Sequence, residues 1–157
     1  MEKIMPLPNI FEKEVSDGII ARIEKLSPDS KAQWGKMDVA KMLAHCNVAY
    51  ETIYEPDKHP KANFLMGFIL KTFIKKKVTG EAPPTKNSPT APFFIIKSDK
   101  DFEAEKKRLI DHINKTQELG ADHFDGKQSH SFGPLTKTEY SNMMWKHLNH
   151  HLEQFGA

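Results

Sequence analysis

The segment TKTEYSNMMWKHLNHHLEQF, Thr136 to Phe155, decides how this chain is read. Thr136 is followed three residues later by Glu139, the two members of a capping box, and Leu135 and Tyr140 occupy hydrophobic-staple positions around it. A helix therefore starts at Lys137 with a known phase. At about 100° per residue from Tyr140, Met144, Leu148 and Phe155 fall within about 80° to one side and Met143 within about 60° to the other. These residues mark the inward face. His147 falls near about −20° and His151 near about +20° on the same wheel, so two imidazoles lie along the centre of the apolar stripe, one turn apart.

Two histidines four residues apart on one helical face can donate to a single metal ion, the geometry that H-E-x-x-H zinc proteases also use. Here Leu148 follows His147, so the protease motif and its general base are absent. A lone buried histidine is ordinarily satisfied by a side-chain hydrogen bond. Two on one apolar stripe pay desolvation twice, whereas an ion uses both lone pairs. His150, near about −80°, sits at the edge of the face and suits a supporting or surface role. An earlier helix is expected from Asp38 as N-cap, with Met37 and Met42 at staple positions. Its inward face is Val39, Met42, Cys46, Ala49 and Ile53. His45 lies on the flank of that face, where it can reach a neighbouring helix, and the small Ala49 leaves room one turn on.

Two stretches carry a family resemblance: Trp34-Gly35-Lys36-Met37 leading to Met42-Leu43-Ala44-His45, and the tail from Lys146 to Phe155. They resemble the DinB/YfiT-like superfamily of four-helix-bundle proteins. Within it the chain is similar to a small branch described only as a domain of unknown function, in which a Ser/His-rich Phe-Gly-Pro-Leu-Thr stretch precedes the last helix. Here that stretch is His130 to Thr136, and the resemblance covers nearly the whole chain. It implies an all-α, antiparallel four-helix bundle with a long Pro-containing crossover and a short extra helix. It also implies a metal triad of His45, His147 and His151 around one divalent transition metal, nickel or zinc. Thiol-dependent S-transferases and isomerases occur in that superfamily, so a small thiol is the implied co-substrate. For zinc, with ligand distances of about 2.0–2.1 Å, the three ring nitrogens should converge to within about 4 Å of one another.

Helical spacing dominates the rest. Five helical segments are expected, at about residues 11–26, 38–55, 62–77, 101–118 and 137–155. Pro28, Pro56, Pro60 and Gly120 supply the stop signals. Between about 79 and 100, Gly80, Pro83, Pro84, Pro89 and Pro92 break any helix, so this stretch is expected to be a crossover that borders the metal pocket. Phe93-Phe94-Ile95-Ile96 within it reads as an extended segment packed on the bundle. Apolar residues from Phe64 to Ile74 spread nearly all round their helix, the pattern of burial rather than of an interfacial face. Lys75-Lys76-Lys77 reads as the solvated C-terminal end of that helix.

A chain of 157 residues suits one compact domain spanning 1–157. Its formal charge of +2 is too small to argue for a nucleic-acid partner. The single thiol, Cys46, forms no intramolecular disulfide and points about 100° away from His45, so it reads as a core residue rather than a ligand. Residues 1–11 lack the apolar run of a signal peptide, and no stretch approaches the roughly 20 apolar residues of a membrane span, so a cytoplasmic setting is expected. His112 reads as satisfied or exposed, and His59 and His123 are given no role. His130 reads as pinning a turn or lining a pocket, and Glu51 faces away from Met42. No Glu-x-x-His pair, phosphate loop or nucleophile elbow occurs.

Three imidazoles leave coordination positions open, the arrangement of catalytic metal sites, so a metal-dependent enzyme acting on a small molecule by S-transfer or hydrolysis is expected. The rival is a non-enzymatic helical protein with satisfied core histidines or a basic apolar surface helix. The partner expected is a small-molecule substrate, without nucleic acid or membrane, and a homodimer is left open.

Overall fold

The computed structural model describes residues 6–86, 88 and 91–157. Pro89 of the crossover and the first five residues of the N-terminal stretch lie outside the described residues. The protein is mostly helical. Four long helices, α1 (Lys13–Glu24), α2 (Val39–Tyr54), α5 (Phe102–Leu119) and α7 (Lys137–Gln154), contact one another in a ring, α2 on α5, α5 on α1, α1 on α7 and α7 on α2. Each supplies an apolar stripe to one core, in which Ile23, Leu43, Ile113, Tyr140 and Leu148 are almost fully excluded from water. Burial of such side chains is worth about 1.5–3 kcal/mol each and holds the helices together more than helix propensity does.

The caps fall where the sequence puts them. Asp38 accepts from Lys41 N at 2.8 Å, and Thr136 and Glu139 form the reciprocal capping box. Gly120 ends α5 with φ of +82°, a conformation that glycine adopts without a Cβ penalty. The short α6 (Ala121–Phe124) then places Phe124 against Phe11 and Tyr140. It leads into a hairpin of β1 (Gln128–Ser129) and β2 (Gly133–Pro134), which pair antiparallel. This hairpin tempers the all-α expectation: Ser129 and Gly133, with φ of +71°, make a turn too short for any period-2 apolar signal.

Three departures from the expected pattern matter for the site. First, α2 is buried nearly all round, among α5, α7 and the crossover; His45, on the flank, is only 7% exposed. Second, Phe93 and Phe94 belong to a 3-10 turn, Pro92–Phe94, before the chain extends through Ile95. Third, the helical stretch 64–79 is divided into α3 (Phe64–Ile69), a π turn (Leu70–Ile74) and α4 (Lys75–Thr79). Its apolar residues are not buried: no residue of α3 or the π turn is, and Phe64, Leu65, Phe68 and Phe73 face solvent. Helix α4 packs on α7. Among the described residues, no helix is long and apolar enough to cross a membrane.

Candidate metal centre

Tyr140, Met144, Leu148 and Phe155 of the last helix are buried as its capped phase requires, and His151 is buried with them. The contact of α7 with α2 brings His45 to the same place. His147 Nε2 lies 3.0 Å from His45 Nε2, and the ring centroids of His45, His147 and His151 are 4.6 to 4.9 Å apart. Each offers one ring nitrogen, and these lie within 4.8 Å of one another, a looser bound than the roughly 4 Å expected for a zinc-bound set. The three histidines can hold a metal ion.

Hydrogen bonds on the outer side of the rings fix two tautomers. His45 Nδ1 is 3.0 Å from the Phe94 carbonyl, which can only accept, so the proton is on Nδ1 and the Nε2 lone pair points inward. His151 Nδ1 is 2.8 Å from Gln154 Oε1. The amide orientation follows from its other end, since Gln154 Nε2 donates to the Trp34 carbonyl at 2.9 Å. His151 therefore also keeps its proton outside and its Nε2 lone pair inside. Such outer bonds fix tautomer and orientation in metal sites. His147 donates from Nε2 to His45 Nε2 when only a proton lies between them, and a cation can take that proton's place.

The electrostatics favour neutral donors. Burial lowers the pKa of His45, against the Phe94 carbonyl and with a smaller push from His150. Burial, then His151, His45 and His150, hold His147 well below its usual range. Burial and His45 bring His151 down to about 3, against its bond to Gln154. All three are neutral at pH 7, as metal ligation requires.

The crossover roofs this centre. Phe94 packs on His45 and His147, and Phe93 leans on Phe94, His59 and His130. His130 Nε2 donates to the His59 carbonyl at 3.2 Å, so it pins the roof and stands apart from the three histidines. At the other side Trp34 sits against His150, and the Lys86 ammonium lies 4.3 Å from the Trp34 ring centroid.

The remaining candidates fall elsewhere. Cys46 is a core residue whose pKa burial raises, with its Sγ against Met42. His112 is stacked between Tyr50 and Tyr54, its Nδ1 bonded to Asn47 Oδ1 at 2.9 Å. Glu51 is not near the triad, yet it is buried: Lys58, Arg108 and His59 reach its carboxylate at 2.9, 2.6 and 2.7 Å. Burial opposes its ionisation, but those three hydrogen bonds outweigh that and bring its pKa down to about 2. His123 stays outside, beside Lys127.

Sequence reasoning missed Phe94, Gln154 and Gly35. Gln154 stands three residues after His151 on one helix, a spacing that puts the two side chains together and could have been used. Gly35, with φ of +79°, lets the chain pass so close to Gln154 that a Cβ there would lie 2.8 Å from its Nε2. The Phe94 carbonyl left no signal in the residue pattern.

Fold and site together define a mostly helical protein with a three-histidine centre capable of holding a metal ion. The chain belongs to the DUF1569 family, described as "Protein of unknown function (DUF1569)", whose family model matches residues 11–157. No match was found among curated proteins or among solved structures.

Proposed function

We propose that the chain is one DinB/YfiT-like antiparallel four-helix-bundle domain and works as a metal-dependent enzyme on a small molecule. His45, His147 and His151 hold one divalent transition metal ion, nickel or zinc. The observation that carries this reading is the pair of outward Nδ1 bonds, to Phe94 and Gln154, which leave acceptor nitrogens converging on a common point. The one inward proton lies between His147 and His45, where an ion can replace it.

Three protein ligands leave at least one coordination position for a reactant. A bound ion there supplies a lowered pKa for a water or a small thiol, the chemistry of hydrolysis or of thiol-dependent S-transfer. The chain's own residues do the rest. Phe94 shields the inner faces of His45 and His147 from water, and the Phe94 carbonyl and Gln154 keep the imidazoles of His45 and His151 in the ligating tautomer. Trp34, His150 and Lys86 form a rim at which a small substrate can stack or place an anionic group.

Elemental analysis of protein without a histidine tag tests the reading. About one equivalent of nickel or zinc is expected. His147→Ala should lose it while His112→Ala keeps it. Equal retention in the two variants, or no transition metal in the parent after reconstitution, would sink the proposal.

A further inference from the structure

From His59 to Gly80 the chain has no Asp or Glu and five lysines, Lys61, Lys71, Lys75, Lys76 and Lys77. The same stretch carries the largest group of exposed apolar side chains in the described residues: Phe64 is 93% exposed, Leu65 68% and Phe73 63%, with Met66 and Phe68 beside them. At about 100° per residue Phe64 and Phe68 share a face, with Leu65 next to them. Clustered exposed apolar side chains of this kind mark an interaction surface.

The charge says what covers it. Lys71 of the π turn and Lys75 and Lys76 of α4 line a cavity of about 310 Å³ with Thr79, Gly80 and Glu139. Glu139 is its one carboxylate and lies 3.7 Å from Lys75 Nζ, leaving the cavity a net positive charge. An apolar face beside a basic notch needs a partner that is apolar in depth and anionic at its surface. A second copy of this helix brings like charge, and a neutral apolar groove leaves the notch unused.

We infer that α3 and the π turn form a docking element for an anionic phospholipid surface: Phe64, Leu65 and Phe68 enter the acyl boundary, and Lys71, Lys75 and Lys76 take headgroup phosphates. The element lies on the membrane rather than across it, since among the described residues no helix is both long and apolar enough to span. This goes beyond the proposed chemistry and revises the sequence expectation of no membrane partner, which rested on reading the Phe64–Ile74 stretch as buried.

Flotation of the full chain with vesicles tests it. Recovery is expected with vesicles of phosphatidylglycerol and phosphatidylcholine in equal parts, and not with phosphatidylcholine alone. Molar salt should release the protein, because screening at that strength reaches about 3 Å. The double variant Phe64→Asp/Phe68→Asp should lower partitioning by at least about tenfold. Each of Lys71→Gln and Lys76→Gln should lower it by about five-fold. Phe64 and Phe68 are 93% and 59% exposed, so the double variant should keep parental helicity and metal content. Absence of flotation on anionic vesicles overturns the inference. So does equal recovery on neutral ones, unchanged recovery of the folded Phe64→Asp/Phe68→Asp variant, or a dimer that this variant dissolves.

Discussion

Helix α2 carries two buried polar clusters, and they are built on opposite principles. Around Glu51 every charge is answered: Lys58 and Arg108 donate to one carboxylate oxygen, His59 to the other, and Arg108 continues to Glu105, which accepts from Asn47. Around His45, six residues earlier, the Nδ1 donors of His45 and His151 point outward, and inside them His147 and His45 share one proton. Both centre on a buried residue, Glu51 or His45, and both contain histidine. What separates them is charge: a closed set of ionised donors and acceptors holds α2, α5 and the following turn together, whereas neutral imidazoles around one shared proton can exchange it for a cation.

The comparison breaks most readily at a ligand. His45→Ala should reduce zinc affinity by more than about 100-fold, beyond the 10–100-fold that outer partners command. Chelator competition would read this, with the unfolding midpoint of the metal-free protein little changed. If His45→Ala binds zinc as the parent does, the two clusters are alike and both structural. Gln154→Leu comes next. Without the amide oxygen, His151 loses the bond that sets its tautomer, and zinc affinity should drop about 10–100-fold with the fold intact; an unaltered affinity would deny Gln154 its positioning role.

Glu51→Gln should do the reverse and leave zinc affinity alone. It should cost about 1–2 kcal/mol of stability in denaturant titration, less than a sealed ion pair, because the Lys58 and Arg108 side chains are 49% and 39% exposed and can turn to water. The smallest and most discriminating difference lies in pH. Glu51 has a depressed pKa, so its contribution is present above its ordinary value of 4.5 and is lost as pH falls toward about 2. His151 is also depressed, from 6.5 to about 3, but the protonated form is the charged one. The unfolded chain takes up that proton first, so metal-free protein should lose stability from pH 6.5 downward, well before Glu51 titrates. Glu51→Gln should flatten only the lower of these two windows.

The histidine cluster was legible because a capping box fixes helical phase from four residues, and phase places His147 and His151 without knowledge of the fold. His45 needed the family resemblance, since a flank position on α2 does not say which neighbour it will meet. The Glu51 cluster was illegible for a related reason. A wheel drawn for one buried face treats the opposite side as solvent, and here the crossover and α5 make both sides interior. The error at Phe64–Ile74 ran the other way. Apolar residues all round a helix argue for burial only if something arrives to cover them, and periodicity does not report arrivals. The hairpin at Gln128–Pro134, with two residues per strand, lies below the length at which alternation can be seen.

Lys146 links regions that have been described apart. Its ammonium, on a residue only 4% exposed, donates to the Lys77 and Gly80 carbonyls at 2.7 and 2.9 Å, closing the end of α4. Asn142, one turn earlier on α7, holds the Thr79 carbonyl at 3.0 Å. The residue after Lys146 is His147. The helix that carries two of the three imidazoles is therefore also the clasp for the basic apolar arm, and the arm cannot swing clear of the body without stranding a cation next door to the histidines. Geometry at one end of this protein is thereby written into the backbone that serves the other.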